Sequence, residues 1–125
     1  TTLRAGGASW TELSDRRDKK DIIDSVYGLD FIQSLRPVEF TWDKRNLYEN
    51  DLLDHRQGTN EIGFIAQELQ SAVGNNKVID LVHEGNPERL EVKLSNLIPI
   101  LTKAIQELNT KNTLLNERLL ALENA

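Results

Sequence analysis

The C-terminal part of the sequence carries a heptad repeat, the feature that most limits what the chain can fold into. Apolar residues and one asparagine recur there at alternating spacings of four and three, at Leu94, Ile98, Leu101, Ile105, Leu108, Asn112, Leu115, Leu119 and Leu122. A 3.5-residue repeat held for about four heptads predicts a long helix that joins a parallel coiled coil. Pro99 lies near its start, where the first helical turn tolerates proline.

The residues at the two core positions of the repeat bear on how many chains it joins. Position a is occupied by Ile98, Ile105, Asn112 and Leu119, and position d by Leu101, Leu108, Leu115 and Leu122. A polar Asn112 at position a fixes the register at a cost in stability. Isoleucine at a with leucine at d favours dimers in simple parallel peptides, so these residues do not select a trimer. The alternative is a long helix that packs along its own domain.

Upstream of the repeat, short helical and strand patterns predict a small α+β domain. Apolar residues at helical spacing, Ile22, Val26, Leu29 and Ile32, predict a helix from Asp21 that ends at Arg36-Pro37, because the residue before proline avoids the helical region. Gly28 lies inside this stretch, and a break there would give two shorter helices.

Strand patterns follow this helix. The stretch "VEFTW", residues 38–42, alternates apolar and polar residues and predicts a strand. Residues 62–65 lead into a helix with Ala66, Leu69 and Val73 facing inward. Residues 78–94 predict two strands joined at "EGNP". The polar connection 43–60 is long for a small domain, and a connection of this length is usually functional or projecting rather than a mere link.

Composition excludes several classes of function. A net charge of -5 argues against nucleic acid as a partner, because phosphate binding needs a concentrated basic face. The chain has no cysteine, which excludes disulfides and thiolate metal sites. No apolar run approaches the roughly 20 residues that span a bilayer, so no membrane partner is expected. His55 and His83 lack metal-binding spacing and no glycine-rich phosphate loop is present, so we expect no metal and no cofactor.

The stretch "SDRRDKKDI", residues 14–22, raises a question of chemistry. A serine hydroxyl becomes a nucleophile when a neighbouring base takes its proton, and lysine is one such base in Ser-Lys pairs. Ser14 and Lys19 are five residues apart, so the long lysine side chain could fold back to the hydroxyl from the first turn of a helix. The alternative is an exposed charged turn in which Ser14 or Asp18 caps a helix.

Four motifs in this order resemble a known family. They are "SDRRDKKDI", "LRPVEFTW", "EIGFIAQELQ" and "LEVKLSNLIPILTKAIQEL", the last followed by the heptad helix. The chain from about residue 14 to 125 resembles the C-terminal intramolecular chaperone domain of phage endosialidases, tail fibres and neck appendages. Such a domain assembles three chains in register at the end of a β-rich fibre and then removes itself by autoproteolysis.

The resemblance implies roles for individual residues. Cleavage would fall between Leu13 and Ser14, with Ser14 as nucleophile and Lys19 as base, and Asp15, Arg16 and Arg17 match the motif around them. Asp18 stands where the motif commonly has leucine, and this departure bears on the rate of cleavage.

The resemblance also implies an organisation. Residues 1–13 would end an upstream fibre region or linker, 14–97 would form the chaperone and autoprotease domain with arms at about 43–60 and 78–94, and 98–125 would form the trimerisation helix. The first residues, Thr1-Thr2-Leu3, include no initiator methionine, so we expect a longer or processed parent protein.

The partners would be two further copies and the upstream β-rich shaft of the same polypeptide. Assembly would take place in the host cytoplasm, and the parent protein would belong to the virion tail or an appendage. The main alternative is a trimeric tip or adhesin cap that stays on the mature fibre without cleavage. A related cleavage domain of a membrane-bound transcription factor fits less well, because the chain ends in the heptad helix.

Overall fold

The computed structural model describes residues 11–47, 51 and 54–125, and within them the protein is a mixed α+β domain that ends in a long helix. A 3-10 turn at Arg16–Asp18 comes first and a second lies at Leu94–Asn96. Between and after them lie helix α1 (Leu29–Gln33), strands β1 (Val38–Thr41) and β2 (Asn60–Gly63), helix α2 (Ala66–Val73), strands β3 (Val82–His83) and β4 (Glu91–Val92), and helix α3 (Leu97–Glu123). The α+β prediction is confirmed, and residues 1–10 of the expected upstream region 1–13 lie outside the described residues.

The core is small and lies where α2 meets the beginning of α3. Five apolar side chains form it: Leu69, Ile79, Leu81, Leu97 and Ile100. Leu69 comes from the inward face of α2, as the sequence predicts, and half-buried side chains of α1 cover the cluster. Every core member lies at or after α2, so the N-terminal stretch 11–26 contributes nothing to it.

The predicted helix from Asp21 to Arg36 is wrong for its first half. Residues 19–27 form no helix or strand, and α1 begins only at Leu29. Asp21 has φ 54°, a left-handed conformation that interrupts any right-handed helix. Ile23 is 87% exposed and Ile22 and Val26 are also exposed, so the apolar periodicity has no surface of its own chain to pack against.

Gly28, the residue before α1, lies close against α3. A Cβ added to Gly28 would clash with the Glu107 carboxylate and lie 3.1 Å from the backbone nitrogen of Ala104, so a larger residue would displace Glu107 and press on the backbone of α3. The Glu107 carboxylate accepts a hydrogen bond of 3.1 Å from the Leu29 backbone N–H. It thereby satisfies one of the free amides at the start of α1, where Gly28 offers no side-chain cap.

One antiparallel ribbon flanks the 43–60 connection and another lies within 78–94, the two segments that the resemblance implies are arms. β1 pairs with β2 in a register that places Val38 opposite Gly63, which confirms the strand at "VEFT". β3 pairs with β4, with Val82 opposite Val92, and confirms the hairpin within 78–94, although each of its strands has only two residues. The 43–60 connection joins β1 to β2, and its residues 48–50, 52 and 53 lie outside the described part.

Helix α3 confirms the long C-terminal helix. It spans 27 residues from Leu97 to Glu123, two residues earlier than a start at Pro99. Pro99 is its third residue, within the first turn, where no intrahelical partner is needed for a backbone N–H.

Candidate functional site

Ser14 and Lys19 lie in direct contact. Lys19 Nζ donates a hydrogen bond of 2.6 Å to Ser14 Oγ, and both side chains are exposed. The side chains that the sequence suggested as nucleophile and base are therefore within proton-transfer distance. The Leu13–Ser14 peptide bond adjoins this contact, and both Leu13 and Ser14 are exposed residues.

A single 3-10 turn brings the two side chains together. Within it, the Asp18 N–H donates to the Asp15 carbonyl at 3.0 Å and the Lys19 N–H donates to the Arg16 carbonyl at 3.1 Å. The turn reverses the chain, so that Lys19 returns towards Ser14. The expected first turn of a long helix is therefore an isolated 3-10 turn, which ends at Lys19 in extended conformation.

Asp15 holds the start of this turn. Its Oδ1 accepts the Arg17 backbone N–H at 2.8 Å, the geometry of an N-cap, and the Arg17 guanidinium also bonds both carboxylate oxygens, at 3.1 and 2.8 Å. These contacts lower the pKa of Asp15 and raise that of Arg17. Within residues 11–47, the side chains of Arg16 and Asp18 form no hydrogen bond or ion pair.

The heptad residues of α3 face solvent. Ile98 is 62% exposed and the other apolar heptad residues of the helix, Leu101, Ile105, Leu108, Leu115, Leu119 and Leu122, are exposed as well. The residues that pack on the core belong to another stripe of the same helix, formed by Leu97, Ile100 and Ala104. The structure therefore contradicts the alternative of a helix whose heptad face packs on its own domain.

The second half of α3 extends away from the rest of the domain. Every residue from Leu108 to Glu123 is exposed, and all of them are helical. An isolated helix of this length is marginal in water, because most helix stability in proteins comes from packing of an apolar face. In the single chain, this part of the helix has an apolar stripe that nothing in the described residues covers.

A cluster of charges joins the two arms, and the sequence analysis missed it. Asp51 is only 7% exposed and accepts two hydrogen bonds from the Arg89 guanidinium, at 3.1 and 2.9 Å. Its carboxylate also accepts the Leu47 backbone N–H at 2.8 Å and lies 3.5 Å from Lys44 Nζ. A buried carboxylate needs such partners, because desolvation without them costs several kcal/mol.

Asp54 extends this cluster towards β1. It pairs with the Arg56 guanidinium at 2.8 Å and with Lys44 Nζ at 2.6 Å, and both contacts hold its pKa far below the usual range for aspartate. Arg56 also lies over the Trp42 ring, 4.7 Å from its centre. We call Lys44, Asp51, Asp54, Arg56 and Arg89 the arm clasp. Its central pair, Asp51 and Arg89, is separated by 38 residues in the sequence, so no local sequence pattern predicts the contact.

The described residues show no grouping of metal-ligating side chains, and His55 and His83 are both exposed. In the same part of the chain, none of the helices combines the length and apolar character needed to cross a bilayer.

Comparison with known proteins gives one match. The model of the Peptidase S74 family, described as "chaperone of endosialidase", matches residues 14–79, just over half of the chain. The match begins at Ser14, the residue in contact with Lys19. Neither the curated proteins nor the solved structures contain a match. The chain belongs to the Peptidase S74 family, the chaperones of endosialidase.

Proposed function

We propose that this chain is a self-cleaving intramolecular chaperone that aligns three copies of a phage fibre, spike or appendage shaft and then releases itself between Leu13 and Ser14. The observation that carries the cleavage step is the 2.6 Å contact of Ser14 Oγ with Lys19 Nζ beside that bond. Membership of the Peptidase S74 family supports the chaperone role.

The reaction begins with an acyl shift. Ser14 Oγ attacks the Leu13 carbonyl carbon through a five-membered ring while Lys19 Nζ, as the neutral amine, takes the hydroxyl proton. The Leu13–Ser14 C–N bond breaks, the proton passes to the Ser14 nitrogen as it leaves, and an ester joins Leu13 to Ser14 Oγ. Water then hydrolyses the ester, which leaves a carboxylate on Leu13 and restores the Ser14 hydroxyl. The reaction is a single turnover.

Assembly precedes or accompanies this reaction. The heptad face of α3 offers an apolar stripe without a partner in its own chain, and three such stripes would form a parallel coiled coil. Intertwined β-shafts depend on non-local strand pairing, which is slow and exposes strand edges. A local helix that associates early fixes the register of the chains and raises their effective concentration for one another.

The client is the β-rich shaft upstream in the same polypeptide, held at the arms 43–60 and 78–94. Cleavage removes the part that aligned the chains, so the mature fibre cannot readily refold and is trapped kinetically. This sequence of events belongs to the host cytoplasm during phage assembly, after which the parent protein joins the virion tail or an appendage.

The test is to express the chain behind its natural upstream region and to follow cleavage by mass. The wild type should yield a fragment that begins at Ser14, whereas Ser14→Ala and Lys19→Ala should each slow cleavage by about 10²-fold or more, the contribution of a nucleophile or general base. Lys20→Ala is the matched control, since Lys20 is an exposed neighbour that does not contact Ser14. Equal cleavage in all four proteins would overturn the Ser-Lys assignment.

A second function, a trimeric tip that stays on the mature fibre, is favoured by the exposed heptad face alone, because that face needs no cleavage to operate. Intact mass measured on purified particles separates the two. A chain continuous through Leu13 and Ser14 supports the tip, and a shaft that ends at Leu13 supports the released chaperone.

A further inference from the structure

We infer that Asp15 is a positioning residue for the Ser14–Lys19 contact, and that it acts through its N-cap bond to the Arg17 backbone rather than through its charge. The inference rests on the proposed cleavage and names a residue that controls the geometry of that same site. Asp15 does not contact the scissile bond in this role, and it acts through the turn that follows it.

The hydrogen bonds around Ser14 and Lys19 are all local in sequence. Those described for residues 14–20 join members of this stretch to one another: Asp15 to Arg17 and Asp18, Arg16 to Lys19, and Lys19 to Ser14. The side chains of residues 16–26 are exposed, and none belongs to the core. Among the described residues, the body of the domain therefore does not hold Lys19 against Ser14, and the contacts that do so belong to this turn.

The cap is the part of this set that a side chain supplies. A 3-10 turn of three residues has only two backbone bonds to maintain it, one to the Asp15 carbonyl and one to the Arg16 carbonyl. The Asp15 carboxylate adds a third bond, to the Arg17 N–H at 2.8 Å, at the end where the turn begins. If it is removed, the turn opens more often and the Lys19 amine leaves Ser14 Oγ.

Two contacts of Asp15 can be separated by substitution. The ion pair with Arg17 is exposed, and exposed pairs contribute little to stability. Asparagine keeps an acceptor oxygen for the cap and caps as well as aspartate, whereas alanine keeps neither contact. Serine keeps the cap with a hydroxyl and no charge. A positioning role through the cap thus predicts that asparagine and serine rescue what alanine loses.

The cleavage test uses the chain behind its natural upstream region. Asp15→Ala should slow cleavage about 3- to 30-fold, the change in population that follows loss of an N-cap, while Asp15→Asn and Asp15→Ser should stay within about 3-fold of wild type. Arg17→Ala, which removes the ion pair and keeps the cap, should also stay near wild type. Its matched control is Arg16→Ala, because Arg16 is an exposed neighbour outside the cap. The circular dichroism and oligomeric state should not change, because the turn lies outside the core.

A second measurement detects the contact between Lys19 and Ser14 without relying on cleavage. In NMR spectra of residues 1–125, the ¹⁵N chemical shift of the Lys19 side-chain amine should change on Ser14→Ala, because this substitution removes the hydroxyl that Lys19 contacts. Asp15→Ala should move that signal towards its position in Ser14→Ala, and Asp15→Asn should leave it near its wild-type position.

The outcomes distinguish the inference from the proposed function. If Ser14→Ala cleaves as fast as the wild type, the proposed function is overturned. The NMR signal of Lys19 then still decides whether Asp15 positions Lys19 against Ser14. If Asp15→Ala has the same cleavage rate and the same Lys19 signal as the wild type, the role assigned to Asp15 is overturned, whereas the proposed cleavage function stands. Equal loss in Asp15→Ala and Asp15→Asn overturns the cap as its basis and assigns the effect to the charge.

Discussion

Two stripes of α3 differ in what covers them, although both consist of aliphatic side chains. Leu97 is 5% exposed and packs in the core, whereas the next residue, Ile98, is 62% exposed and begins the heptad face. We call the stripe of Leu97, Ile100 and Ala104 the inner stripe, and the heptad residues from Ile98 to Leu122 the outer stripe. The inner stripe ends at Ala104, but the outer stripe continues almost to the end of the helix.

This difference shows that the domain occupies one side of the helix and leaves the heptad face open. A helix that needed only its own domain would require the inner stripe alone, and its second half could be polar. The heptad leucines beyond Leu108 are all exposed in the single chain. The inner stripe therefore accounts for folding of the domain, and under the proposed function the outer stripe serves association with further copies.

The largest expected effect comes from charges in the outer stripe. Ile105→Asp with Leu108→Asp would bury two carboxylates per chain in the coiled-coil core, where an unpaired charge costs several kcal/mol. We expect association to weaken by about 10³-fold or more in sedimentation experiments, while the body of the domain stays folded.

The matched control places the same two charges on another exposed face of the helix. Gln106→Asp with Thr113→Asp adds carboxylates outside both stripes and should leave association near the wild-type level. If this control weakens association as much as the outer-stripe variant, the effect arises from net charge and the outer stripe is not the contact surface.

The next largest effect is a difference in the free energy of unfolding between substitutions at two adjacent residues, Leu97 of the inner stripe and Ile98 of the outer stripe. In the background of Ile105→Asp and Leu108→Asp, Leu97→Ala should lower the free energy of unfolding by about 2–5 kcal/mol, the usual cost of truncating a buried leucine. Ile98→Ala in the same background should lower it by less than about 0.5 kcal/mol, because a mainly exposed side chain loses little burial. Urea denaturation measures both, and equal losses would contradict the division into two stripes.

A smaller change is expected at Asn112, the polar residue of the outer stripe. Asn112→Ile should raise the thermal stability of the assembly and broaden its distribution of oligomeric states, because a polar residue at position a gives specificity at a cost in stability. Light scattering coupled to chromatography measures the distribution. Loss of stability on this substitution would show that Asn112 does not lie in a coiled-coil core.

The smallest effect is an acid response of the arms that the outer stripe does not share. Arg56 and Lys44 lower the pKa of Asp54, so the stability that its contacts contribute is complete above the ordinary aspartate pKa of about 3.9 and is lost progressively as the pH falls from there towards the lowered pKa of the folded state. Trp42 fluorescence should report this loss, since Arg56 lies over its ring, and Trp10→Phe removes the second tryptophan. Asp54→Asn should abolish the response.

The outer stripe itself has no ionisable side chain at its a and d positions, so helix association should persist through the same acid range. Circular dichroism of α3 would show this. A loss of helix in step with the Trp42 signal would contradict the separation of the arms from the helix.

Features with local causes could be predicted from the sequence. The long C-terminal helix follows from a repeat within one segment, and β1 follows from the alternation in "VEFT". A separation of five residues left contact between Ser14 and Lys19 possible, and the contact is observed, while their catalytic roles stay a prediction.

Features that depend on distant parts of the chain could not be predicted. The helix from Asp21 was wrong because periodicity at Ile22 and Val26 does not reveal whether any surface will cover them. The pairing of Asp51 with Arg89 was missed because each is one charge among many in its own segment, and only the fold brings them together.

Self-association through the outer stripe is the central claim, and sedimentation equilibrium of the wild-type chain tests it most directly. At micromolar concentration we predict a single species of three times the 14.2 kDa chain mass, which dissociates on dilution. A mass of 14.2 kDa across the micromolar range would contradict the account, since the outer stripe would then be exposed in a stable monomer.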